Sequence, residues 1–428
     1  MTRSRLARGI VIALLLSAST LMSALAEPVP RSINELTALA LKHSAELAAL
    51  EKDAAAQQSL AVQAGVFSNP TLEIQGTTGS LTGSPDDRSL SIGINQELPL
   101  NSKLQLRQEA GRFQTEALLR QRDNAVRLMK GEIATLVLEY QLASRRQELS
   151  AQQLKLNREL VSVAEERFKA GDIPELELNL ARVELMRADA RLMEAEREQN
   201  PLRIKIASLT GLNESDIRLS EPQTTPRPGY NAQELATKAL DSRPDLLTLK
   251  HEREKAAIEA RLAEAEALPN LTAGLFVQWQ RAKTEVGGLS EVNSDTQLGV
   301  RLSMPIPVFD RNQGGRAAAR ARLDAAESRK LALERDITAE VDAAVSRVSA
   351  AERILAMFEQ GIIPQLAENL KLTREAYRIG EVGILSVIDE QKKFFEVNES
   401  YLTAKHNRQM AVIKLESAMA AELNGGVQ

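Results

Sequence analysis

The 428-residue chain contains no cysteine. That excludes a disulfide framework, zinc–thiolate sites and a lipid-modified N-terminal cysteine. Histidine is nearly absent: His43, His251 and His406 are far apart, and none has a neighbour at metal-ligand spacing. No nucleophile elbow or phosphate-cradling glycine loop occurs. The sequence therefore makes no case for an enzyme, a cofactor or a bound metal. Positive charge is not in excess, with a formal net charge of −4, which argues against a nucleic-acid partner. Long apolar runs are missing after residue 25, because charges interrupt every later one. No later segment can span a bilayer as a helix, so any membrane insertion of the mature protein must use strands.

The one long apolar run lies at the start. Arg3, Arg5 and Arg8 precede an apolar stretch from Ile10 to Leu25, and Ala24-Leu25-Ala26 forms a small-x-small site. This pattern predicts a signal peptide over residues 1–26, cleaved after Ala26. Removing its three arginines takes the formal charge from −4 to −7.

What the sequence does contain is a long internal repeat. Glu35-Leu36 matches Glu234-Leu235, and Ser68-Asn69-Pro70-Thr71-Leu72 matches Leu268-Pro269-Asn270-Leu271, both at an offset of 199. Gly171 matches Gly380 at an offset of 209. So long a period indicates a duplicated domain rather than a solenoid. The expected organisation is a first repeat over 27–220, a linker over 221–230 with three prolines, and a second repeat over 231–428.

Each repeat reads as helix, two strands, long helix, glycine turn and return helix. Ile33 to Val66 lacks helix breakers before Gly65 and is predicted helical. Apolar residues alternate with polar ones over 71–75 and 89–95, and again at Leu271, Ala273, Leu275, Val277 and Trp279 and at Leu298, Val300, Leu302 and Met304. That period matches either a transmembrane β-barrel or a half-buried hairpin. Residues 76–87 and 281–295 are rich in Gly, Ser, Thr and charge, and are predicted to be hairpin loops. Ser102 to Lys169 contains no proline; a helix of that length measures roughly 100 Å and must bury its apolar stripe on other helices. Gln313 to Ile379 is a similar run with an interruption expected near Pro364. Return helices are predicted over Glu175–Gln199 and Ile384–Ala421. Four strands are too few to close a barrel, since the smallest bacterial barrels use eight, so closure needs several copies of the chain.

The turns carry the most distinctive residues. Arg167-Phe168-Lys169-Ala170-Gly171-Asp172-Ile173-Pro174 ends the first long helix, and Ala376-Tyr377-Arg378-Ile379-Gly380-Glu381-Val382-Gly383-Ile384-Leu385 ends the second. Gly171 and Gly380 are expected in the left-handed conformation that terminates helices. Ile173, Pro174, Val382, Ile384 and Leu385 are apolar residues expected to be exposed there, as a docking contact. The stretch Phe309-Asp310-Arg311-Asn312-Gln313-Gly314 is read as the strand-to-helix junction, with Asp310 or Asn312 capping the long helix. A lone carboxylate and an amide are a poor transition-metal site.

These turns, and the sequence as a whole, resemble the TolC-type outer-membrane efflux proteins. Asn69-Pro70-Thr71-Leu72-Glu73 and Met304-Pro305-Ile306-Pro307-Val308-Phe309-Asp310-Arg311-Asn312-Gln313-Gly314 resemble the heavy-metal, cobalt–zinc–cadmium branch. The resemblance implies a mainly α fold with a small β part and a homotrimer. Its twelve strands would form one outer-membrane barrel in contact with lipid, continued by a periplasmic helical barrel. It also implies a membrane-fusion adaptor and an inner-membrane RND pump as partners, and export of heavy-metal cations. The adaptor would dock on the tips, at Gly171 to Pro174 and Gly380 to Leu385. On the family's tip, Tyr377 and Glu177 fall where inter-helix contacts hold a closed pore, and Asp389 falls where an acidic ring narrows it. The family's second acidic position is Ser386 here, and the lipidated cysteine of many relatives is absent. Aromatic content of only 3% leaves few residues for interfacial girdles. Two other readings remain open: an outer-membrane duct for drugs or other small molecules or for type I secretion, and a soluble periplasmic coiled-coil adaptor or scaffold.

Overall fold

The computed structural model describes residues 31–219, 229–287 and 289–421. The expected signal peptide and most of the expected linker lie outside them. Element order repeats: α1 (Ile33–His43), α2 (Ala45–Ala64), β1 (Thr71–Gly79), β2 (Ser84–Leu98), α3 (Lys103–Ala170) and α4 (Glu175–Thr210) make the first series. The second comprises α5 (Ala232–Ser242), α6 (Pro244–Ala265), β3 (Leu271–Val286), β4 (Leu289–Ser303), α7 (Gln313–Met357), α8 (Ile363–Arg378) and α9 (Ile384–Met419). Contacts divide the chain into two compact units, each drawing on both repeats.

The first unit holds the described residues up to Leu47, Ala125–Ser242 and those from Ile337 on. A Ser32–Glu35 capping box starts α1: the Ser32 hydroxyl accepts from the Glu35 N–H, and the Glu35 carboxylate accepts from the Ser32 N–H. Leu36, Ala40, Ile133, Leu136, Val137, Ile206 and Ile217 form one core in this unit. That core explains why α4 runs through Pro201 to Thr210 instead of ending near Gln199. Burial of Ile206 and the apolar residues around it outweighs the roughly 3 kcal/mol cost of an internal proline. Gly211 then ends α4 in the left-handed conformation, against the His43 ring. The interruption expected near Pro364 is a π-helical turn over Phe358–Ile362, with Pro364 in the first turn of α8.

The single helix expected over Ile33–Val66 is instead two. Ser44 is extended, and its hydroxyl caps α2 by accepting from the Leu47 N–H. Arg243, 199 residues on, is extended at the equivalent point between α5 and α6.

The second unit holds Ala48–Asn124 and Arg243–Asp336. Its four strands form one antiparallel sheet in the order β1-β2-β3-β4. The strands run well into the segments expected as loops, because ladder pairing continues through polar residues: Thr77 faces Ser89, and Arg281 faces Ser294. Leu72, Ile74, Leu90, Ile92, Ile94, Leu275, Val277, Trp279, Leu298, Val300 and Leu302 all lie on one face by register. They are exposed, Leu298 at 79% and Val300 at 71%. Among the described residues, β1 pairs only with β2 and β4 only with β3, so both sheet edges are open. Beside the sheet, α2 and α3 pack so closely that a Cβ at Gly111 would lie 2.7 Å from that of Ala61. No helix of the described residues is long and apolar enough to cross a membrane.

Candidate functional site

The two helical turns have the same construction. At the end of α3, the Gly171 N–H donates to the Phe168 carbonyl (3.0 Å) and the Asp172 N–H to the Arg167 carbonyl (2.9 Å). At the end of α8, Gly380 donates to Tyr377 (3.1 Å) and Glu381 to Ala376 (2.8 Å). This bonding needs a left-handed residue, and Gly171 and Gly380 supply it at φ +81° and +84°. Pro174 and Gly383 then precede α4 and α9 in extended conformation.

The turns share one core. Leu160, Ala164, Ile173, Leu178 and Ala181 pack with Tyr377, Ile384, Val387 and Ile388. Ile173 and Ile384 are therefore core residues, not the exposed contacts expected of them. Their side chains follow the turns inward and seal the ends of the helices. Val382 is half-buried and packs on this core, whereas Pro174, Gly383 and Leu385 are exposed. Two further exposed residues, Leu176 at 68% and Ile379 at 66%, enlarge the apolar surface. Leu176 matches Leu385 at the repeat offset of 209, a signal already present in the sequence.

Tyr377 is the polar centre of this core. It is 2% exposed. Arg167 stacks on its ring at 4.9 Å and donates to its carbonyl oxygen at 3.0 Å. Burial pushes the Tyr377 phenol above its ordinary pKa; Arg167 opposes that shift, and Glu177 adds to it. The Tyr377 hydroxyl and Glu177 Oε2 are both buried without a hydrogen-bond partner among the described residues. The structure thus brings Tyr377, Glu177 and Arg167 together. Asp389 is exposed and outside that cluster. Arg374–Glu159 (2.6 Å) and Lys392–Glu184 (3.3 Å) tie the two repeats together around it.

The strand-to-helix junction departs from the expected cap. Neither Asp310 nor Asn312 caps α7 through its side chain. Asp310 instead accepts from the Asn312 N–H at 2.9 Å, and Asn312, at φ +54°, donates its amide to the Ala263 carbonyl at 2.9 Å. Asn312 is left-handed rather than extended, so its backbone is not in the conformation from which a side chain caps a helix, and its amide N–H holds the end of α6 instead. Gly314 has no heavy atom near its Cβ position, whereas a Cβ at Gly315 would overlap the Asn312 amide. In the first repeat Asn101 and Ser102 are left-handed too, and the buried Lys103 ammonium donates to the Leu268 carbonyl and to Asn270. Burial lowers the Lys103 pKa. Nothing in the sequence singled Lys103 out, because its partners lie in the other repeat.

A family model described as "Outer membrane efflux protein" matches residues 36–212 and 235–421. The cobalt-zinc-cadmium resistance protein CzcC of Cupriavidus metallidurans is 24% identical over 379 residues, covering 87% of this chain and 86% of its own. The nickel-cobalt-cadmium resistance protein NccC of Alcaligenes xylosoxydans xylosoxydans is 25% identical over 352 residues, covering 82% and 77%. Among solved structures, CusC superposes with a TM-score of 0.73 at 19% identity, over 92% of this chain and 93% of its own. The outer membrane protein VceC of Vibrio cholerae superposes with a TM-score of 0.73 at 18% identity, over 92% and 97%.

Proposed function

The chain belongs to the outer membrane efflux protein family, and from that premise we propose that it is the outer-membrane exit duct of a tripartite, RND-type system exporting heavy-metal cations. The observation that carries this reading is the sheet: four strands, one face apolar and exposed, both edges open. Three copies joined edge to edge give a twelve-stranded barrel whose apolar face meets lipid, which leaves no edge unpaired. The names of the relatives CzcC and NccC support metal cations as the cargo.

The tips take the docking role. Pro174, Leu176, Ile379 and Leu385 offer apolar surface to a periplasmic adaptor, on turns kept rigid by Gly171, Asp172, Gly380, Glu381 and Gly383. The Tyr377 hydroxyl and the Glu177 Oε2, which have no hydrogen-bond partner among the described residues, meet polar groups of a neighbouring copy in the closed pore, and Asp389 faces the passage. The Asp310–Asn312–Gly314 segment sets where the second pair of strands passes into helix.

Deletion of the gene, with growth and cell-associated metal measured across cobalt, nickel, zinc, cadmium, copper and silver beside a drug panel, tests the reading. Hypersensitivity to some metals, with those metals retained, supports it. Sensitivity to drugs alone refutes the metal cargo.

A further inference from the structure

The polar face of the sheet carries charge in an uneven way. By register it comprises Glu73, Glu97, Glu291 and Asp295, and among the paired strand residues described, Arg301 is its one base. Arg301 sits on β4 and Glu73 on β1, the two edge strands, with β2 and β3 between them. Even so, Arg301 Nη1 donates to Glu73 Oε2 at 2.7 Å, and Asn95 on β2 donates to the same oxygen at 2.8 Å. Glycines on the middle strands leave room for this. Gly93 lies between Glu73 and Phe276 in register, and Gly274 between Asn95 and Arg301. A Cβ at Gly274 would lie 2.0 Å from the Asn95 Oδ1. The Arg301 guanidinium also stacks on the Phe276 ring at 5.2 Å, and that ring lies so close over Gly299 that a Cβ there would be 2.4 Å from its Cζ.

We propose that Glu73, Asn95 and Phe276 hold Arg301 flat and charge-compensated against the inner wall of the duct, and that this pairing sets the duct's preference for cations. The inference rests on the outer-membrane duct reading above, which places the polar face on the lumen. Both side chains are half-exposed, Arg301 at 43% and Glu73 at 44%, so permeating ions sense their net charge. Paired, three copies contribute nothing to the field, and the acidic residues leave the wall attractive to cations. Unpaired, three guanidinium groups would ring the passage and repel the cargo.

Reversal potentials in planar bilayers under a KCl gradient test this on the full-length purified protein. Glu73→Gln should lower the cation-to-anion permeability ratio by about twofold at 0.15 M salt, and by more at low salt as the Debye length grows. Arg301→Gln should raise the ratio by a similar factor, and the double variant should return to the wild-type value. Because the two single changes shift in opposite directions, a general assembly defect does not imitate the result. If both single variants keep the wild-type ratio, or both shift it the same way, the inference fails while the duct reading stands. If the wild-type protein opens no pore, the duct reading fails and the inference with it.

Discussion

Truncating and conservatively replacing Tyr377 should give opposite outcomes. The ring fills the centre of the tip core and is 2% exposed, and Arg167 is stacked on it. Tyr377→Ala removes that ring and the stack, leaving a cavity flanked by Ile384, Val387 and their neighbours. Large aromatic-to-alanine changes in cores cost about 3–5 kcal/mol. Tyr377→Phe keeps the ring and deletes a hydroxyl that makes no hydrogen bond of good geometry among the described residues. Removing an unsatisfied buried group is neutral or slightly favourable, and a bond to a neighbouring copy would return only about 1 kcal/mol. Native-state hydrogen exchange reads both. The amides of residues 160–181 and 376–388 should exchange about 10²- to 5 × 10³-fold faster in Tyr377→Ala and within about fivefold of wild type in Tyr377→Phe. Equal acceleration in the two variants would refute the reasoning, because the hydroxyl and not the ring would then hold the tip. No acceleration in Tyr377→Ala would mean the core does not depend on this residue.

Leu176→Asp with Leu385→Asp should abolish capture of the cognate adaptor and metal efflux while leaving thermal unfolding within about 0.5 kcal/mol, since both side chains are exposed; cross-linking to the adaptor checks it. Gly299→Ala should displace the Phe276 ring and destabilise the sheet by about 1–3 kcal/mol, seen as a lower melting temperature of the membrane-extracted protein. Burial holds the His406 imidazole below its ordinary pKa, with a hydrogen bond to Leu138 and the Glu139 carboxylate opposing. The folded state therefore resists protonation that the unfolded state accepts, and the stability this group contributes is present above about pH 6.5 and lost as pH falls below it. Urea unfolding at pH 7.5 and 5.5 should show a smaller loss in His406→Gln than in wild type.

Much of this structure was legible in the sequence because it is periodic. Alternation in Leu298, Val300 and Leu302 marks a strand face, the proline-free run from Ser102 marks α3, and Gly171 and Gly380 mark its end and that of α8. What stayed hidden was set by partners distant in sequence. The break at Ser44 has no glycine or proline to announce it, although Pro244 marks its counterpart in the second repeat. The hairpins extend through polar residues because the neighbouring strand supplies the bonds, whatever their composition. Ile173 and Ile384 read as surface because they adjoin a turn, and only the packing of the two repeats against each other buries them. Glu73 and Arg301, 228 residues apart, form a pair no local pattern signals.

Closure of the sheet by neighbouring copies is the central claim, and the cysteine-free chain makes it measurable. Gln75→Cys on β1 can be combined with Gln297→Cys, or with the adjacent register positions, on β4. Within one protomer these strands are three spacings apart, about 14 Å, beyond disulfide reach of about 7 Å between Cα atoms. Mild oxidation of outer membranes should give a ladder ending at a covalently closed trimer at one register. Monomer alone at every register would contradict the account.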